Sequence, residues 1–109
     1  MKHPEKEVAV FWDYENIRVN AEGLKVPVAE KLVEYSKTIG HVRVKRVYSD
    51  WSRINPAINR ALYSLGFEPI HVSMGKANSV DVKIAVDCLD TAMLYPEINN
   101  FIIVTGDKD

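Results

Sequence analysis

Apolar residues fall into four short runs, separated by longer stretches of helical period. "EVAVFW" (7–12) is β-branched and aromatic without polar alternation, the pattern of a strand buried on both faces of a sheet. "YENIRVNAEGLK" is polar and broken by Gly23, and predicts a loop with at most a short helical turn. In "VPVAEKLVEYSKTIG", Val28, Leu32, Tyr35 and Ile39 share one helical face, with Pro27 in the first turn and Gly40 as the cap. "HVRVKRVYSD" predicts a second strand, with Val42, Val44 and Arg46 on one face and Arg43, Lys45 and Val47 on the other. Charges on both faces place it nearer an edge than the first strand.

"NPAINRALYSLG" is a second helix: Asn55 is its N-cap, Pro56 its first residue and Gly66 its terminator, with Ile58, Ala61, Leu62 and Leu65 as the apolar stripe. "FEPIHVS" predicts a third strand, confined by Pro69 to the sheet edge. "VDVKIAVDCLDTAML", capped by Asn78 or Ser79 and ended by Pro96, is apolar almost all round, which predicts a well-buried helix. "FIIVT" completes the series as a fourth strand. Strands alternating with helices predict an α/β sandwich around a parallel sheet with right-handed crossovers. The pattern leaves strand order open.

Composition narrows the classes. The 109 residues suffice for one domain with a modest core, and 47% hydrophobic with 27% charged residues is ordinary for a globular protein. No apolar run approaches the ~18–20 residues that span a bilayer, so no membrane association is expected. "MKHPEKEVAV" lacks the apolar region of a secretory signal. A lone Cys88 within a helical pattern points to a reducing, cytoplasmic setting. With 14 basic and 15 acidic residues the net charge is −1, which excludes a grip on nucleic acid through bulk positive charge. It leaves open nucleic-acid chemistry at a site where metal ions supply the positive charge.

Aspartates gather where a parallel sheet binds ligands, beyond the carboxyl ends of its strands. Asp13 follows the first strand, Asp107 and Asp109 follow the fourth in "FIIVTGDKD", and Asp81 falls in the first turn of the third helix. Carboxylates brought together repel, and a hard divalent ion such as Mg²⁺ or Mn²⁺ resolves the conflict. Such an ion neutralises charge on phosphate oxygens and activates water. Taken singly, Asp13 also suits a turn, Asp81 favours the helix dipole, and "GDKD" suits an exposed turn.

"FWDYENI", "KANSVDVKIAVD" and "IIVTGDKD", in that order and spacing, resemble the NYN domain, most closely its LabA-like branch, within the PIN-like nuclease superfamily. The resemblance implies a Rossmann-like three-layer fold and a Mg²⁺- or Mn²⁺-dependent phosphodiesterase acting on RNA. It implies that Asp13, Asp81, Asp107 and Asp109 are the metal-binding and catalytic carboxylates, and that Asn16 orients water or substrate. Thr105 and Lys108 depart from the family's "SGDSD" turn. The family continues beyond this turn with a helix and strand, so residues 1–109 are expected to be a single domain lacking that unit. The edge this leaves open favours homodimerisation.

Around these residues, Lys76 is a candidate phosphate contact, and Trp51 and Arg53 in "SDWSRIN" are candidates for stacking and phosphate contact with single-stranded RNA. Trp51 equally suits a lid on the core. Asp87 lies about 240° round the helix from Asp81 and cannot share a metal with it directly, so pairing is its expected duty. His41 and His71 are expected away from the site, at a strand start and within a strand. No phosphate-loop or dinucleotide glycine motif is present. A non-catalytic RNA- or protein-binding module on the same fold is the alternative; an aspartyl phosphotransferase fits less well, because Tyr14 and Glu15 follow Asp13 where a DxD motif is usual.

Overall fold

The computed structural model describes residues 6–16, 25–73 and 79–105. Strand β1 (Glu7–Asp13) passes through a 3₁₀ turn (Tyr14–Asn16) towards helix α1 (Lys25–Ile39). Then come β2 (His41–Ser49), a 3₁₀ turn (Trp51–Arg53), α2 (Pro56–Ser64), β3 (Glu68–His71), α3 (Ser79–Leu94) and β4 (Asn100–Val104). The expected alternation is present throughout. At α2 the caps are as expected: Asn55 accepts from the Ala57 amide at 2.9 Å, and Gly66 ends the helix at φ 93°, which glycine adopts without a Cβ penalty.

The four strands are all parallel, in the order β3-β2-β1-β4. β3 lies at an edge, as Pro69 requires, but β2 is as interior as β1. Its charges do not exclude it because they reach the periphery: Arg43 meets Glu7 and Glu97 at 3.3 and 3.4 Å, and Arg46 meets Glu68 at 3.2 Å.

The expected faces of β2 are corrected too. Val8 pairs with Val42 but Ala9 with Val44, so Arg43 is the extra residue of a β-bulge. A bulge shifts the alternation by one residue. Val42 therefore packs with Val47 on one side of the sheet, and Val44 with Tyr48 on the other.

Helices cover both sides and make three layers. Val8, Val10 and Trp12 of β1 face α1 and α2, in a core with Tyr14, Ala29, Val47, Leu62 and Phe67. Ala9 and Phe11 face α3, with Tyr48, Val80, Ile84 and Ile98. α1 sits one residue out of its expected phase: Tyr35 is 58% exposed while Ser36 is buried, its hydroxyl donating to the Val33 carbonyl at 2.9 Å. α3 buries one face only, and leaves Val82, Val86, Leu89, Met93 and Leu94 exposed.

Candidate active site

From β1 the sheet builds outward through β2 to β3, and β4 then returns on the opposite side of β1. The strand order thus reverses between β1 and β4, and it is beyond the carboxyl ends of strands at such a reversal that parallel sheets bind ligands. The two strands end level, Trp12 pairing with Val104. Asp13 closes β1 at this point and is only 2% exposed. Strand alternation puts it on the same face as Ala9 and Phe11, the side covered by α3. Its cross-strand neighbour is Tyr48.

Further polar groups line the rim beyond β2 and β3. The Ser49 hydroxyl, fully buried at the end of β2, donates to the Glu15 carboxylate. Asp50 accepts from the Ser52 amide at 3.2 Å and so caps the turn Trp51–Arg53. His71 lies on this rim as well, ending β3 level with Ser49, which corrects its expected place away from the site. Its Nδ1 accepts from the Trp51 amide at 3.3 Å, so a neutral ring carries its proton on Nε2, 3.9 Å from Asp50. His41 stands as expected at the opposite end of the sheet, 3.1 Å from Glu7.

Trp51 is half-buried: its indole donates to the Ile70 carbonyl at 3.0 Å and its ring lies 5.5 Å from that of Tyr14. These contacts cover the edge of the core. Arg53, in the same turn, is exposed.

On α3 the two aspartates part company. Asp81 is exposed in the first turn. Asp87 is 7% exposed and accepts from the Tyr48 hydroxyl at 2.7 Å, with Lys83 at 3.4 Å and Arg46 at 4.0 Å. Pairing is thus the duty Asp87 performs. Burial, and then the hydrogen bond to Asp87 and its negative charge, push the Tyr48 hydroxyl far above the ordinary tyrosine range, so it remains a donor at any physiological pH. Burial and the charge of Asp87 likewise raise the Cys88 thiol, leaving it protonated and unreactive near neutrality.

Of the expected carboxylates, Asp13 and Asp81 are described; Asp107, Asp109 and Lys76 lie outside the described residues, as does the side chain of Asn16. Among the described residues no three His, Cys, Asp or Glu side chains converge as a metal-holding group. The sequence reading passed over Asp50, Glu15 and Ser49. For Asp50 a signal existed, since "VYSD" places an acid directly after β2 much as "VFWD" places one at the end of β1. The bond between Glu15 and Ser49 spans 34 residues and leaves no local trace.

No curated protein and no solved structure gives a significant match to the chain. A model of the NYN domain family matches residues 7–109, from the first residue of β1 through the "GDKD" segment of the sequence. With that span and an all-parallel three-layer sheet whose order reverses beside Asp13, the chain belongs to the NYN domain family, within the PIN-like nuclease superfamily.

Proposed function

We propose that the chain is a metal-dependent ribonuclease domain, of the LabA-like branch, acting on single-stranded RNA. One observation carries this: Asp13, a carboxylate 2% exposed, closes an interior strand where the sheet order reverses. The family match supports it by extending through Asp107 and Asp109, which follow β4 in the sequence.

The donor set fits a hard cation. Asp13, Asp81, Asp107 and Asp109 offer only carboxylate oxygens, the ligands that Mg²⁺ and Mn²⁺ favour. Among the described residues, the one imidazole on the rim, His71, is engaged by the Trp51 amide at Nδ1. When bound, such an ion neutralises charge on phosphate oxygens and acidifies water. Asp13, Asp81 and Asp107 would hold one or two ions, with Asp109 assisting directly or through water. Burial restricts Asp13 to one bearing, so its oxygens are already placed when substrate arrives. Asn16 and Lys76 orient the substrate, Lys76 as a point charge for a phosphate oxygen. Exposed Arg53 contacts backbone phosphate, and the outer edge of Trp51 meets a base. A chain of net charge −1 has no bulk attraction for RNA, so affinity depends on these contacts and on the ions.

The test is cleavage of labelled single-stranded RNA with Mn²⁺ or Mg²⁺, with and without EDTA. Cleavage should vanish with EDTA and fall in Asp107→Asn by more than the roughly 10–100-fold that loss of a ligand's outer partner costs. RNA binding without cleavage would assign the chain to the non-catalytic alternative. Cleavage that survives EDTA would refute the metal.

A further inference from the structure

Helix α3 carries two faces of identical spacing. Val80, Ile84, Asp87 and Thr91 are buried against the sheet, and Val82, Val86, Leu89 and Met93 repeat the same four-three-four spacing two residues later. These last four are 61%, 47%, 65% and 78% exposed. Two residues are about 200° of helix, so the stripes lie on opposite sides. The outward stripe is wholly apolar, while half of the buried one is an aspartate and a threonine. Hydrophobic burial alone would turn the helix the other way.

Asp87 opposes that turn. Its carboxylate accepts from Tyr48 at 2.7 Å and lies 4.0 Å from Arg46, both on the α3-facing side of β2. Tyr48 is fully buried, and a half-turn of α3 would take away its acceptor while exposing Asp87. A buried donor left without a partner costs more than its bond contributes. Buried polar pairs that select one register over a more apolar competitor have precedent in coiled coils.

We infer that the Asp87–Tyr48 bond is the rotational lock of α3, which selects the face that docks on the sheet. Asp81 rides on the same rigid helix one and a half turns earlier, so the lock also sets its bearing. Asp87 is in this sense a positioning residue for Asp81, a clause that rests on the metal-site proposal above; the lock itself does not.

Two thiol reporters in a Cys88→Ala background test it. Val82→Cys should label fast and Ile84→Cys, buried in the parent at 4%, should be protected. In Tyr48→Phe/Asp87→Leu the rates should exchange, each by at least about tenfold, with helical circular dichroism retained. Asp87→Asn with Tyr48 intact, whose amide oxygen still accepts the hydroxyl, should keep the parent pattern. Unchanged rates at both reporters, or a fast Ile84→Cys beside a still-fast Val82→Cys, would overturn the lock, the second outcome meaning plain loosening. Should the double variant fail to fold, Tyr48→Phe alone is judged on the same two rates. Mn²⁺ titration then separates the claims: affinity in the parent that falls in the unlocked variant supports the positioning of Asp81. No affinity in the parent refutes the metal site and leaves the lock standing on the labelling.

Discussion

The two faces of the sheet are built on different terms. Towards α1 and α2 the core is continuous and aromatic: Trp12 meets Phe67 at 5.6 Å and Tyr14 at 5.5 Å, and Tyr14 meets Trp51 at 5.5 Å. Towards α3 the core is smaller, and its buried polar groups include two carboxylates, Asp13 at the rim and Asp87 on the helix beside Thr91, whereas Ser36 and Ser49 on the other face bury only hydroxyls. Apolar contact tolerates small errors of register, whereas a buried carboxylate is satisfied in one geometry only. The first face therefore supplies stability, and the second spends some of it on orientation where the candidate chemistry lies.

Breaking the apolar face should have the largest effect on stability. Phe67→Ala removes a ring packed edge-on against Trp12 and should cost about 3–5 kcal/mol in denaturant unfolding. On the α3 face, Tyr48→Phe keeps the ring beside Phe11 but removes a donor from Asp87. It should cost about 1–3 kcal/mol, and a smaller loss than Phe67→Ala is what the comparison requires. Gly66→Ala places a Cβ 2.9 Å from the end of the Lys45 side chain, at φ +93°. It should cost about 1–2 kcal/mol by the same measurement.

The smallest effect belongs to the amino end of β1, remote from the site. A hydrogen bond with His41 and the Arg43 guanidinium hold the Glu7 carboxyl below the ordinary glutamate range. A depressed pKa contributes stability above the unfolded-state value, and the contribution disappears as pH falls through the folded-state value. Glu7→Gln should therefore be slightly less stable than the parent at neutral pH, and the two melting curves should converge below the glutamate range.

Much of the fold was legible because its signals are local. The unbroken apolar run of β1, Asn55 and Pro56 at the start of α2, Gly66 at its end and Pro69 in an edge strand each act within a few residues. What escaped depends on distant partners. The bulge at Arg43 appears only when β2 is laid against β1, and it puts Val42 and Val44 on opposite faces. α1 turned by one residue because Ser36 satisfies its hydroxyl within the helix, a bond that makes a polar residue acceptable in the core. The face of α3 could not be read from a pattern apolar all round; Tyr48, 39 residues away, provides the distinguishing contact. Within the site, Asp13 was legible as an acid directly after a buried strand. His71 was not, because the end of β3 is set by its pairing with β2 rather than by its own sequence.

Asp13 combines the two characters, since it is buried as core residues are and offers the carboxylate oxygens that a hard cation binds. Mn²⁺-dependent cleavage of single-stranded RNA, measured side by side for the parent and Asp13→Asn with their melting temperatures, tests it most directly. The isosteric amide should abolish cleavage while leaving the protein folded, with less loss of stability than Phe67→Ala. An Asp13→Asn protein that cleaves RNA at the parent's rate would contradict the site.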